Sequence, residues 1–124
     1  MKDQFGYNGD IDHQIFPNKA RTGFQRLILK PGASDNYPFE NGGAHIRDPY
    51  IHTLSQRAKL KVDERTWRPC VVYVNGQYWG VYELREKVDD ADFTDYYYDQ
   101  DEYNLQFLKT WGGTWTEYGG AQSQ

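Results

Sequence analysis

Two cations four residues apart, Arg26 and Lys30, lie in the stretch Phe24-Gln25-Arg26-Leu27-Ile28-Leu29-Lys30. Its apolar content, bounded by Gly23 and by Pro31-Gly32, predicts a strand. Residues two and four apart on a strand share a face, so Arg26 and Lys30 point the same way and either could meet a phosphate. The competing reading of Lys30 is a solvated charge at the end of an edge strand. Arg47, at the head of a predicted helix, has a similar choice between a functional contact and a structural one, a salt bridge to Asp48 or a loop cap. Glu86 follows a second predicted strand, where alternation puts Tyr82, Leu84 and Glu86 on one face and Glu83, Arg85 and Lys87 on the other. An acid sharing a face with Tyr82 and Leu84 calls for a specific partner more strongly than Glu83 does. A structural ion pair with a nearby arginine answers that need as well as a ligand would.

Other chemistry is poorly represented. Seven acids fall between residues 89 and 102, interleaved with Phe93, Tyr96, Tyr97 and Tyr98. A calcium loop needs a glycine at its sharp turn, and this stretch has none, so it reads as a solvated acidic face with apolar anchors. His13, His45 and His52 are too scattered for a metal motif. No nucleophile elbow or Gly-Lys-Ser/Thr phosphate loop is present. The single cysteine, Cys70, sits in an apolar strand pattern and reads as packing. Gly42-Gly43-Ala44-His45 precedes a helix, and helix N-termini favour anions, which makes the loop an anion-binding candidate beside its plainer reading as ordinary loop glycine. No catalytic residue and no metal ligand is assigned.

The elements that must position these groups can be read in order. Residues 1–22 form an irregular arm with no sustained period. The strand ending at Lys30 leads into a long loop over residues 31–46, rich in Gly, Pro and Asn. Asp48 as N-cap and Pro49 at the first helical position start a helix, with Ile51, Leu54 and Ala58 as a narrow apolar face. Pro69–Val74 and Gln77–Arg85 flank Asn75-Gly76, a pair suited to the positive φ angles of a type I′ hairpin. Gly80, inside the second strand, suggests a bulge, and Tyr78 and Trp79 are expected on opposite faces, one packed and one partly exposed. A short helix within 88–98, a strand within 103–108 and a Gly-rich tail over 111–124 complete an α+β domain with a mainly antiparallel sheet. The compact domain is expected over 23–110.

Composition limits the partners. The 124 residues carry a net charge of −4 and 17% aromatics, with a mean hydropathy of −0.93. The acidic balance argues against a general nucleic-acid binder, and no apolar run approaches a membrane span. No charged and apolar leader follows Met1, so no signal peptide is read.

The hairpin region, "RPCVVYVNGQYWGVYELREKVDDADF" (68–93), resembles the signature region of the CotH kinase family. Asn75, Gly76, Tyr78, Gly80, Tyr82 and Glu86 occupy the places of its turn and following strand. "LILKPGASDN" and "RDPYIHTL" are similar to the family's strand-loop and Arg-Asp helix start. The resemblance spans residues 24–110. It implies the N-terminal lobe of a protein-kinase-like fold, with ATP and Mg²⁺ as cofactors and a protein acceptor as partner. In such a lobe a basic strand residue neutralises phosphate charge, a helix group positions it, and the backbone after the hairpin meets adenine. Lys30, Arg26 and Arg47 would then face phosphate, while Glu86 and Lys87 (with residue 88) would correspond to the hinge. The metal-binding and catalytic aspartates belong to a second lobe, for which the residues after the hairpin are too few, so the isolated chain is expected to be inactive. The family suggests a spore coat, the cell surface or secretion as its location.

Two other classes remain open from sequence. The clustered Tyr and Trp residues would suit a non-catalytic platform for sugar rings or a protein partner. An exposed face of the lobe could instead drive self-association, making the chain an assembly piece.

Overall fold

A computed structural model describes residues 9–32, 35, 43–101, 104–110 and 112–118. The chain divides into two compact units, residues 1–87 and 88–124. Its architecture is α+β, with two helices and antiparallel sheets. The division differs from the expected limits at 22/23 and 110/111: the expected arm supplies core residues to the first unit, and part of the expected tail forms a strand.

The first unit is built on a three-stranded antiparallel sheet in the order β3–β5–β4, with β3 at Leu27–Lys30, β4 at Trp67–Val74 and β5 at Gln77–Glu86. The β4–β5 hairpin forms as its sequence dictates. Asn75 and Gly76 take φ of 50° and 78°, the left-handed values that a type I′ turn requires. Near the tip the register shifts between Val72 and Tyr73, so that Val72 faces Gly80 while Tyr73 faces Tyr78. Trp79 is the extra residue of this bulge, and Gly80 takes φ of 149°. The bulge breaks the alternation that would have put Tyr78 and Trp79 on opposite faces. Both are exposed, at 61% and 64%, so neither packs as expected.

The stretch expected as one strand over 24–30 is two. Gly23–Phe24 forms β2, paired with β1 at Ile11–Asp12, and β3 begins only at Leu27. The break lets the chain leave one sheet and join another, and it turns Phe24 into the core. Phe16 and Phe24 pack edge to face with ring centroids 5.7 Å apart. Together with Ile15 they form the buried cluster against which Ile11, Leu27 and Leu84 pack. Edge-to-face aromatic pairs add about 0.5–1.5 kcal/mol beyond burial, a useful gain in so small a core.

Helix α1, Arg47–Ala58, lies on the opposite face of the sheet and reaches it through polar groups. Trp67 Nε1 donates to Thr53 Oγ1 at 3.0 Å, and Gln56 Nε2 donates to Thr66 Oγ1 at 2.8 Å. The expected apolar face is not the buried one: Ile51 and Leu54 are exposed, and the buried residue of the helix is Pro49. Nor does Asp48 cap the helix. The N-cap is Ile46, and Asp48 lies within the first turn, where its charge still suits the dipole.

The second unit contains α2 at Ala91–Tyr98 and the antiparallel pair β6, Phe107–Thr110, and β7, Thr114–Tyr118. Phe93 is buried, with its ring 4.6 Å from that of Tyr97. Lys109 Nζ pairs with Asp89 Oδ2 at 2.7 Å. No described helix is long and apolar enough to cross a membrane.

Candidate functional site

Four charges of alternating sign meet where the end of β3 faces the first turn of α1. Lys30 is the cross-strand partner of Glu83 on β5, and Arg85 stands two residues further along the same strand face. Lys30 Nζ forms an ion pair with Asp48 Oδ2 from α1. The same oxygen lies 3.5 Å from Arg85 Nη1. Arg85 Nε donates to Glu83 Oε2 at 2.7 Å, and both of those side chains are buried. Asp48 therefore joins a buried cation to one that still reaches solvent, since the Lys30 side chain is 26% exposed.

The electrostatics follow from this arrangement. The Lys30 hydrogen bond, reinforced by the charges of Lys30 and Arg85, holds the Asp48 carboxyl below its ordinary pKa against a smaller opposing effect of burial. His52, on the same helix, is pushed below the usual histidine value by burial and then by the nearby Arg85 charge. The cluster thus keeps its acid ionised and its histidine neutral near pH 7.

The loop before α1 is organised by an acid of its own. Asp35 accepts the backbone N–H of Ala44 and of Arg47, each at 2.9 Å, and its carboxylate lies 3.1 Å from Arg47 Nε. These donors lower its pKa, the Arg47 N–H most of all. The anion that the loop attracts to the helix N-terminus is therefore Asp35 itself. His45, with φ of 61°, brings its ring against Gly32, where a Cβ would approach to 2.9 Å. Gly32 itself takes φ of 87°, a left-handed value that favours glycine there. Of the expected Gly42–His45 anion loop, Gly42 lies outside the described residues.

The family model described as CotH kinase protein matches residues 3–116. The chain belongs to the CotH kinase family. No curated protein and no solved structure matches it.

Within this CotH-family chain the residues singled out from sequence fall into separate places. Lys30 and Arg47 lie at the β3–α1 junction, although Arg47 pairs with Asp35 and not with Asp48. Arg26 is exposed and precedes β3, so the alternation that aligned it with Lys30 does not extend to it. Glu86 is buried elsewhere, on the core side of the sheet. Its Oε1 accepts from Arg21 Nη1 at 3.1 Å, and the Arg21 guanidinium lies 4.8 Å from the centre of the Phe24 ring. The Glu86 N–H is used by Thr66 O at 2.8 Å. Lys87 is half-buried and ends the first unit. Cys70 is half-buried on β4, and burial pushes its thiol up, in keeping with packing.

Four participants were missed: Asp48 as the lysine's partner, Arg85 and Glu83 beneath it, and Arg21 against Glu86. One signal for the middle pair was available. Glu83 and Arg85 share a strand face two residues apart, and opposite charges so placed on one strand can belong to a buried network.

Proposed function

We propose that this chain is the nucleotide-facing part of a CotH-type kinase, corresponding to the N-terminal lobe of a protein-kinase-like fold. Lys30 is the residue that meets phosphate. The observation that carries this reading is the Lys30–Asp48 pair: a strand lysine held by a helix acid, at the edge of the sheet, with its side chain still partly exposed. Phosphoryl transfer needs a positioned cation of this kind to neutralise charge on the transferred group. A bound nucleotide phosphate would compete with Asp48 for Lys30, while Arg85 keeps Asp48 in place.

ATP fits this site through Lys30. The magnesium that would accompany it is a different matter. Asp48 and Glu83 are already engaged by cations, and among the described residues no three His, Cys, Asp or Glu side chains gather to hold a metal. These residues are therefore not proposed as metal ligands, and inactivity of the isolated chain is an expectation that rests on the family resemblance. The hinge role of Glu86 and Lys87 rests on the family resemblance, and Glu86's carboxylate is committed to Arg21.

The test has two arms. NMR titration with ATP should move the amides around Lys30 and Asp48, and Lys30→Met should abolish that response. Shifts confined elsewhere, or unchanged by the substitution, overturn the assignment. Incubation with labelled ATP, Mg²⁺ and a generic protein acceptor should leave the acceptor unlabelled, and clear incorporation by the purified chain removes the inactive-alone reading.

A second reading is favoured by one observation. Val71, Tyr73, Tyr78, Trp79 and Val81 are all more than half exposed around the β4–β5 hairpin, a surface suited to stacking on sugar rings or a protein. It predicts a change in tryptophan fluorescence with oligosaccharides, lost in Trp79→Ser and absent with ATP.

A further inference from the structure

The chain's negative excess lies wholly after residue 87. Residues 1–87 carry thirteen Lys and Arg against ten Asp and Glu, and residues 88–124 carry one against eight. The cationic unit also displays an apolar face that its own sheet leaves uncovered. Ile46, Tyr50 and Leu54 follow one another at a spacing of four, which puts them on one side of α1, and they are 52%, 58% and 44% exposed. With Trp67 they line a cavity of about 280 Å³. Thr53 and Arg57 border this slot and also a second cavity of about 570 Å³, whose walls include Lys19 and Lys59. The acid on that second wall, Glu64, is engaged by the Ser55 hydroxyl. An apolar slot therefore abuts a cationic one along a single helix.

The acidic unit carries the complementary pattern. Asp92, Asp95 and Tyr96 stand at i, i+3 and i+4 and so share a side of α2, and Asp99 is the residue at its C-terminal cap. Asp95, Tyr96 and Asp99 are exposed. At a rise of 1.5 Å per residue α2 is roughly 12 Å long and α1 roughly 18 Å, so the shorter helix fits within the longer one's face. Aromatic and arginine side chains are the groups that most often anchor such contacts.

We propose that the outer face of α1 is the docking surface for α2 of a second copy of this chain. Tyr96 enters the slot formed by Ile46, Tyr50, Leu54 and Trp67, and Asp95 and Asp99 meet Arg57 and Lys59. The contact joins surfaces of opposite charge and unlike sequence, so each copy has one of each to offer. The idea does not depend on nucleotide binding, because Lys30 and the buried Arg85 take no part in it.

Sedimentation velocity on the intact chain tests it across the micromolar range. The expected result is association that strengthens with protein concentration and weakens as salt is raised. Arg57→Glu with Lys59→Glu should weaken it roughly tenfold, because attractive surface pairs become repulsive. Asp95→Lys with Asp99→Lys should do the same. Mixing the two double variants should restore association, since both contacts in a mixed pair are again of opposite sign. All four positions are exposed, and circular dichroism verifies that each variant is folded. A monomer at every concentration overturns the proposal. So does association that is indifferent to the charge reversals but lost in Trp79→Ser, which would place the contact on the hairpin.

Discussion

Asp48 serves two cations of unequal burial with one oxygen, and its titration should be visible in stability. Its folded pKa is depressed, so the folded state holds this proton less readily than the unfolded chain does. The stabilisation is therefore complete above the ordinary value near 3.8 and is lost as pH falls through the lowered folded value. Asp48→Asn is expected to cost about 0.5–1 kcal/mol at neutral pH, the scale of a solvent-screened pair, because the Asp48 side chain is 55% exposed. The difference from the parent should persist to about pH 5 and close below about pH 4. Urea unfolding of both proteins over that range checks the sign, and a gap that widens in acid would contradict it. Glu86 presents the opposite case, because both it and Arg21 are buried. Removing one member of such a pair strands the other, at a cost of about 3–5 kcal/mol. Glu86→Ala should therefore lower the melting temperature far more than Lys87→Ala, whose effect is expected within about 0.5 kcal/mol. The double change Arg21→Met, Glu86→Leu should recover part of the loss. If Glu86 served a nucleotide instead of Arg21, the single substitution would spare stability and reduce binding.

At the level of elements, what could be read from sequence was what local chemistry decides. Asn75-Gly76 admits few alternatives, so the β4–β5 hairpin and its turn were legible, and Gly80 marked the bulge. The existence of α1 was legible from Pro49 and the spacing after it, but its orientation was not. An apolar stripe normally marks the face that meets a sheet. Here Thr53 and Gln56 make that contact by hydrogen bonds to Trp67 and Thr66, and the stripe is left outside. The site failed to show for the same reason. Glu83 and Arg85 look solvated in an alternation pattern, yet each supplies what the other needs under the helix. Arg21 sits in a stretch with no period, and only the fold brings it 65 residues along the chain to Glu86. The inverted helix has a measurable consequence. Ile51→Ser should change stability by less than about 0.5 kcal/mol, whereas Thr53→Val, which leaves the Trp67 indole N–H without its acceptor, should cost about 1 kcal/mol or more. Thermal melts of the two variants distinguish this arrangement from an ordinary amphipathic packing, which predicts the reverse order.

On the scale of the whole molecule, the two units differ in what holds them together. Residues 1–87 have a three-stranded sheet whose central strand is paired along both edges, a cluster of Ile15, Phe16 and Phe24, and buried ion pairs on both faces. Among the described residues of 88–124 the sheet is a two-stranded ribbon. An isolated hairpin is marginal in water. Local opening free energies should therefore differ across the 87/88 division. In hydrogen exchange at neutral pH, amides of residues 83–86 are expected to be the slowest, since over this stretch β5 lies between β3 on one side and the β4 edge on the other. Amides of residues 107–110 should exchange at least about 100-fold faster, a difference of roughly 2.7 kcal/mol in opening free energy. This order bears on the proposed phosphate role of Lys30, because Lys30, Asp48, Glu83 and Arg85 all belong to the first unit. A phosphate-binding cation must be held in a fixed place if its charge is to act before the ligand arrives, and the more protected unit is the one able to hold it. Equal protection on the two sides of residue 87 would instead mean that the chain opens as one cooperative body, and the site's rigidity would then depend on residues 88–124 as much as on its own sheet.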